Sequence, residues 1–188
     1  MRRVITTLFI LAVAILPTAA FAGQIWTDGD GDGLPDAAKF VGRLPSDLVT
    51  VQVWIDTQSY AFSYFQAWIQ RAPCLQFVSA TYAITGGTLT IPVDNFTHPQ
   101  RTGMSGTGFA QPGQHGVILI GSITFHVETI ANCCVNPIFD LNDAPYSILG
   151  NNPQGSYQPF QSGSGTCYDG PVIGTEDKSW GAIKGLYR

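Results

Sequence analysis

Charge is what this sequence has least of. Only 12% of its 188 residues are Asp, Glu, Lys or Arg, and glutamate occurs just twice, at Glu128 and Glu176. Helices rely on Glu, Lys and Arg to cover their solvent face, and this chain instead carries 21 glycines and 12 prolines. Those proportions exclude a helix bundle and favour many short strands joined by turns. Basic residues are scarcer than acidic ones. Once Arg2 and Arg3 are set aside, seven basic residues face thirteen acidic ones, a formal charge of −6, which excludes a nucleic-acid surface. The common reactive signatures are missing too. There is no G-x-S-x-G elbow, no C-x-x-C pair, and His98, His115 and His126 do not fall at metal-ligand spacings. Glycoside hydrolysis needs two positioned carboxyl groups, but most acids here lie in one N-terminal loop or in turns. Glu128, beside His126 on a strand face, has the placement of plain surface, so the chain reads as non-catalytic.

The extreme N-terminus is a signal for export. Arg2 and Arg3 form a basic start, residues 4–16 an apolar middle too short to span a bilayer, and Ala20-Phe21-Ala22 a small-x-small cleavage site. Residues 1–22 are thus read as a signal peptide, and no second membrane segment follows. Export places the four cysteines in an oxidising compartment, where disulfides are the default. A bond between the adjacent Cys133 and Cys134 would need a strained ring, so one pairs outward with Cys74 and the other with Cys167. Spacing does not say which.

Directly after the cleavage site comes Thr27-Asp-Gly-Asp-Gly-Asp-Gly-Leu-Pro-Asp36. Asp28, Asp30, Asp32 and Asp36 occupy positions 1, 3, 5 and 9 of a D-x-D-x-D-G-x-x-D loop, with Gly33 where a sharp turn is required. Carboxylates this crowded repel one another unless a hard cation lies between them, and oxygen ligands at alternate positions suit calcium. The motif resembles the calcium loops of thrombospondin type 3 repeats and dockerin modules. It departs from an EF-hand at position 12, where Lys39 replaces the bidentate glutamate. Residues 23–47 are read as a calcium-loop leader ahead of the main domain.

The longest apolar stretch of the mature chain, residues 116–129, organises the rest. Ile123, Phe125 and Val127 alternate with Ser122, Thr124, His126 and Glu128, the period of a half-buried strand. Residues 117–120 are apolar on both faces and are expected centrally or covered on both sides, with Gly121 as a bulge. A one-sided strand needs a second sheet above it. Residues 48–56 form another strand, with Val49, Val51, Val53 and Ile55 inward and Trp54 outward. In residues 60–70 the facing is ambiguous: Phe62, Tyr64 and Trp68 share one side, Phe65 and Ile69 the other. With Phe65 and Ile69 inward, Tyr64, Trp68 and Trp54 would form an exposed aromatic platform able to stack on sugar rings; the reverse facing makes them core. Shorter strands follow at residues 73–80, with Leu75 and Phe77 buried, at 88–93, held to a sheet edge by Pro92, and at 102–109. At the end, Trp180, Ile183 and Tyr187 behind Asp177 predict a short amphipathic C-terminal helix.

The strand succession 49–56, 61–65, 74–79 and 121–127, with Pro137-Ile-Phe-Asp-Leu-Asn-Asp-Ala144 and Gly150-Asn-Asn-Pro153 as closing strand and turn, resembles the cohesin-like β-sandwich domains of bacterial secreted proteins. One departure is Gln70-Arg-Ala-Pro73 where members often carry Tyr-Asp-Pro. The resemblance implies an all-β, two-sheet antiparallel β-sandwich of jelly-roll type over residues 48–170, followed by a tail at 171–188. It also implies a non-catalytic binding or adhesion role outside the cell or at its surface, with the periplasm as the other destination. The partner would be an extracellular protein or a polysaccharide. Two other roles compete: a carbohydrate-binding module using Trp54, Tyr64 and Trp68, and a structural subunit of a cell-surface assembly.

Overall fold

The computed structural model describes residues 23–35, 39–40, 44–58, 61–91, 93–95, 98–107, 115–129, 133–139, 142, 144, 147–151, 156–160 and 163–168. The signal peptide expected at residues 1–22, Asp36 and the helix expected at 177–188 lie outside the described residues. The strands, in chain order, are β1 (Gln24–Asp28), β2 (Lys39–Phe40), β3 (Leu48–Asp56), β4 (Tyr64–Arg71), β5 (Leu75–Tyr82), β6 (Thr88–Thr90), β7 (Val93–Asn95), β8 (His98–Thr107), β9 (Val117–Val127), β10 (Cys133–Pro137), β11 (Ile148–Asn151), β12 (Ser156–Pro159) and β13 (Thr166–Tyr168). Among the described residues there is no helix, and so none long and apolar enough to cross a membrane.

Two sheets face each other. The first runs β1-β3-β9-β5; the second runs β12-β11-β4-β10-β13-β2, with β8 beside β4 and carrying β6 and β7. All pairings are antiparallel except β13 with β2. The expected two-sheet jelly-roll sandwich is therefore what forms. The inward faces make one core: Val49, Val51, Val53, Ile55, Ile123, Phe125 and Val127 from the first sheet meet Phe65, Ala67, Ile69, Met104, Val135 and Leu149 from the second. Each large side chain buried there contributes about 1.5–3 kcal/mol of transfer free energy, which is what holds two otherwise independent sheets together.

The organising strand behaves largely as its alternation requires. β9 lies between β3 and β5, and its register with β3 slips where Val53 faces Gly121 but Trp54 faces Leu119. Gly121 is needed there, because a Cβ would stand 2.1 Å from the Thr81 carbonyl oxygen and 2.5 Å from Met104 Cε. The expectation of cover on both sides fails at Val117, which is 59% exposed where β9 pairs with β3 but not with β5.

In β4 the ambiguity resolves with Phe65 and Ile69 inward and fully buried. Leu75 is buried as expected, whereas Phe77 is only half-buried next to a bulge at Val78. The strand expected over residues 88–93 forms as two short pieces, β6 and β7, both on β8, and Pro92 lies outside the described residues.

The boundary placed before Leu48 needs correction. β1 pairs with β3 along its whole length, from Gln24 opposite Asp56 to Asp28 opposite Gln52, and buries Ile25 and Trp26. The strand therefore belongs to the sandwich, not to a leader ahead of it. Thr27 then ties the two sheets at this edge. Its N–H donates to the Ser164 carbonyl (3.0 Å), its hydroxyl donates to the Val135 carbonyl (3.1 Å), and it accepts two further bonds from Thr166, at its hydroxyl from the N–H (3.0 Å) and at its carbonyl from the hydroxyl (2.9 Å).

The disulfides also resolve. Cys74 pairs with Cys133, joining the start of β5 to β10 and so one sheet to the other; Cys134 pairs with Cys167 across β10 and β13. No cysteine is left free.

Candidate functional site

Once β1 ends, the chain turns back over the outer face of the first sheet. Asp28 is the pivot. Its side chain is buried, and its two carboxylate oxygens accept N–H bonds from Gly31 and Gly33, each at 2.7 Å. Both glycines take left-handed backbone angles, φ +83° and +78°, which residues with a Cβ adopt only with strain. The Asp32 carboxylate accepts the Leu34 N–H at 2.8 Å, in the manner of an Asx turn. One carboxylate oxygen each from Asp28, Asp30 and Asp32 lies within 4.8 Å of the others, and this is the only such group of metal-ligating side chains among the described residues. The Asp30 carboxyl is raised above the usual carboxylate range, chiefly by sharing a hydrogen bond with Asp28. The Asp32 N–H opposes this rise, and the neighbouring charges of Asp32 and Asp28 add to it. The fourth aspartate of the motif, Asp36, lies outside the described residues.

The loop covers Trp54. An added Cβ on Gly33 would lie 3.4 Å from the Trp54 ring, and that ring stacks on Trp26 at 6.3 Å between centroids and 5° between planes. The Trp54 indole N–H donates to the Gln52 amide oxygen at 2.9 Å. Trp54 is therefore outward, as its position in the alternation requires, but committed to packing under the loop.

The aromatic platform does not assemble. Trp54 sits on the outer face of the first sheet, whereas Tyr64 and Trp68 point outward from the second, on the opposite side of the sandwich. Trp68 is 5% exposed. It lies where the chain between β10 and β11 leaves the sheet, with its backbone N–H donating to the Ser147 hydroxyl (2.8 Å) and its carbonyl accepting from Ile138 N–H (2.8 Å). Period 2 put Tyr64 and Trp68 on one face correctly but failed for Phe62, which precedes β4 and is buried in the core with Phe65 and Ile69; it carries no information about which sheet a neighbouring strand joins.

Other outward positions of both sheets are rich in hydroxyl and amide groups. On the first sheet Thr50 and Thr124 share a hydroxyl–hydroxyl bond of 2.9 Å, beside Gln76, Ser79 and Thr81. On the second, Thr90 and Ser105 do the same at 2.6 Å, beside Gln66 and Thr107. His126 Nδ1 and Glu128 Oε1 approach to 2.9 Å on the open face of β9, an exposed pair with no other carboxylate grouped around it among the described residues. Such a pair has the character of surface. Strand β1 and its junction at Thr27 were not legible in the sequence, because Ile25 and Trp26 are adjacent and show no apolar alternation.

No protein-family model and no curated protein matches this chain. Solved structures do. A type III cohesin module from the cell-surface anchoring scaffoldin of Ruminococcus flavefaciens aligns with a TM-score of 0.59 at 10% identity, over 82% of this chain and 90% of that one. The sandwich has the cohesin fold. A type I cohesin in complex with a dockerin, from Clostridium thermocellum, aligns at TM-score 0.55 and 8% identity over 81% and 97% of the two chains. A type II cohesin domain from the cellulosome of Acetivibrio cellulolyticus aligns at TM-score 0.51 and 15% identity, over 79% and 95%. At these identities the likeness is one of fold, and it spans nearly the whole of each cohesin.

Proposed function

We propose that this chain is an exported, non-catalytic protein-binding module whose partner is a dockerin or a dockerin-like extracellular protein, with calcium ordering its N-terminal loop. The observation that carries the reading is the match of one continuous sandwich to cohesins of three types over 90–97% of their length, one of them solved with its dockerin. The hydroxyl- and amide-rich faces suit it, because they offer many hydrogen bonds to a docked surface. Two disulfides and no free thiol support a destination outside the cytoplasm, secreted or at the cell surface. The calcium part rests on the convergence of Asp28, Asp30 and Asp32, and Asp36 completes the ligand set in this proposal. Calcium would relieve the repulsion among these carboxylates and so fix residues 28–36 over Trp54.

Two measurements test the reading separately. Calorimetry of the mature protein against a panel of dockerin modules and against an array of glycans is expected to give saturable heat with a dockerin and none with glycans. Glycan binding without dockerin binding overturns the partner assignment. Calcium titration should give saturable heat that disappears when Asp28, Asp30 and Asp32 are all changed to Asn; equal heat in both proteins, or none in either, overturns the metal site.

A further inference from the structure

Two polar groups at the β1 edge are buried with nothing to bond. Trp26 is 1% exposed, and its indole Nε1–H has no acceptor among the described residues; the buried Ser164 hydroxyl oxygen has no partner there either. Buried polar groups are nearly always paired, because a dry one has given up its bonds to water and gained none. Both residues line one half-open cavity of about 230 Å³, with Gln24, Ile25, Pro35 and Gly163. The walls are held in place. Trp26 stacks on Trp54, the Ser164 carbonyl accepts the Thr27 N–H at 3.0 Å, and Gly163 lies so close to β1 that a Cβ would stand 2.1 Å from the Ile25 carbonyl oxygen. The Trp68 indole N–H is unpartnered as well, but it does not line this cavity.

Size and chemistry narrow the occupant. A single water takes about 30 Å³ of liquid volume and would leave most of the cavity empty, whereas sites for drug-sized molecules begin at about 300 Å³. A group the size of one side chain fits. An indole N–H only donates, so the occupant must accept there, while a hydroxyl can donate or accept. No cationic side chain lines the cavity, and Pro35 belongs to the loop that carries Asp28, Asp30 and Asp32, whose field disfavours an anion. A neutral amide meets both orphan groups at once. A backbone amide is trans and points its C=O and N–H in opposite directions, but a primary carboxamide presents both on one side. Gln24 carries such a group at the cavity wall, yet it is exposed and bonds neither orphan atom.

We propose that this cavity receives a primary carboxamide, the end of an Asn or Gln side chain on a protein partner. Its oxygen accepts the Trp26 indole N–H, and its NH2 donates to the Ser164 hydroxyl oxygen. Ile25, Pro35 and the indole ring pack on the methylenes behind it. The site rests on the protein-binding reading only for the source of the carboxamide, and it does not require that partner to be a dockerin.

Propionamide, titrated into the mature protein and followed by the indole N–H signals in proton–nitrogen NMR, tests the site without any partner. Trp26→Phe assigns the Trp26 signal. That signal is expected to move downfield and saturate, with a Kd on the order of millimolar for so few atoms, while the Trp68 signal stays still. Ser164→Ala, which keeps the carbonyl bond to Thr27, should weaken binding roughly two- to tenfold. Propionate and glucose should leave the Trp26 signal in place. Four results overturn the proposal: no response of the Trp26 signal to propionamide, an equal response to propionate or glucose, unchanged affinity in Ser164→Ala, or a shift of the Trp26 signal on Gln24→Ala without ligand, which would mean that the chain's own side chain fills the cavity. Propionamide binding in a protein that no dockerin binds would keep this site and remove only the dockerin assignment.

Discussion

The two sheets are built on different terms. The first has four strands, two of them nine and eleven residues long, and β3 and β9 pair along nearly their whole length with alternating Val, Ile and Phe inward. The second has nine strands among the described residues, several of three or four residues, and β4 finds partners in β8, β10 and β11 from distant parts of the chain. Both disulfides end on β10 in this second sheet. Long alternating strands carry their own stability through cross-strand pairs and burial, whereas short strands with distant partners pay more loop-closure entropy per contact. The covalent links lie where the noncovalent ones are shortest.

Six substitutions or pairs of substitutions break or sharpen that contrast. If the sheets share one core, Phe125→Ala in the first and Phe65→Ala in the second should cost alike, about 3–5 kcal/mol each, in urea unfolding. A much smaller cost at Phe65 would show that the second sheet is carried by its disulfides. Removing Cys74 and Cys133 together as alanines should lower stability by about 2–4 kcal/mol, and by more than removing Cys134 and Cys167, because the first link closes 59 residues of chain and the second 33. Under reduction, exchange at β10 and β13 should quicken while β3 and β9 stay slow; uniform quickening would erase the difference between the sheets. Thr27→Val, which keeps the shape and deletes the hydroxyl that joins the edges, should cost about 1–3 kcal/mol and raise exchange at Thr166 in particular. Thr50→Ala, removing one exposed hydroxyl bond on the outer face of the first sheet, should cost less than about 1 kcal/mol. A larger loss there would mean that this face is covered.

Legibility follows the same division. Residues 48–56 and 116–129 could be read as strands, with their inward and outward sides, because a half-buried strand writes its burial into every second residue. Even the bulge at Gly121 was visible as a glycine inside an apolar run. β1 was harder: it is five residues long, runs straight into the aspartate motif, and sets the inward Ile25 beside the outward but buried Trp26. The platform of Trp54, Tyr64 and Trp68 failed for a related reason. Facing is a local property, and assignment to a sheet is not.

By itself the sequence determined the all-β composition, the alternation of the long strands, the outward turn of Trp54, the grouping of Asp28, Asp30 and Asp32, and the exclusion of a bond between neighbouring cysteines. Each of these depends on residues close together along the chain. Only the tertiary structure decided that Cys74 meets Cys133, that Trp54 and Trp68 stand on opposite sides of the sandwich, and that Thr27 joins the two sheets. Those are matters of which distant segments become neighbours, settled by burial and loop closure over the whole chain, and local periodicity does not encode them.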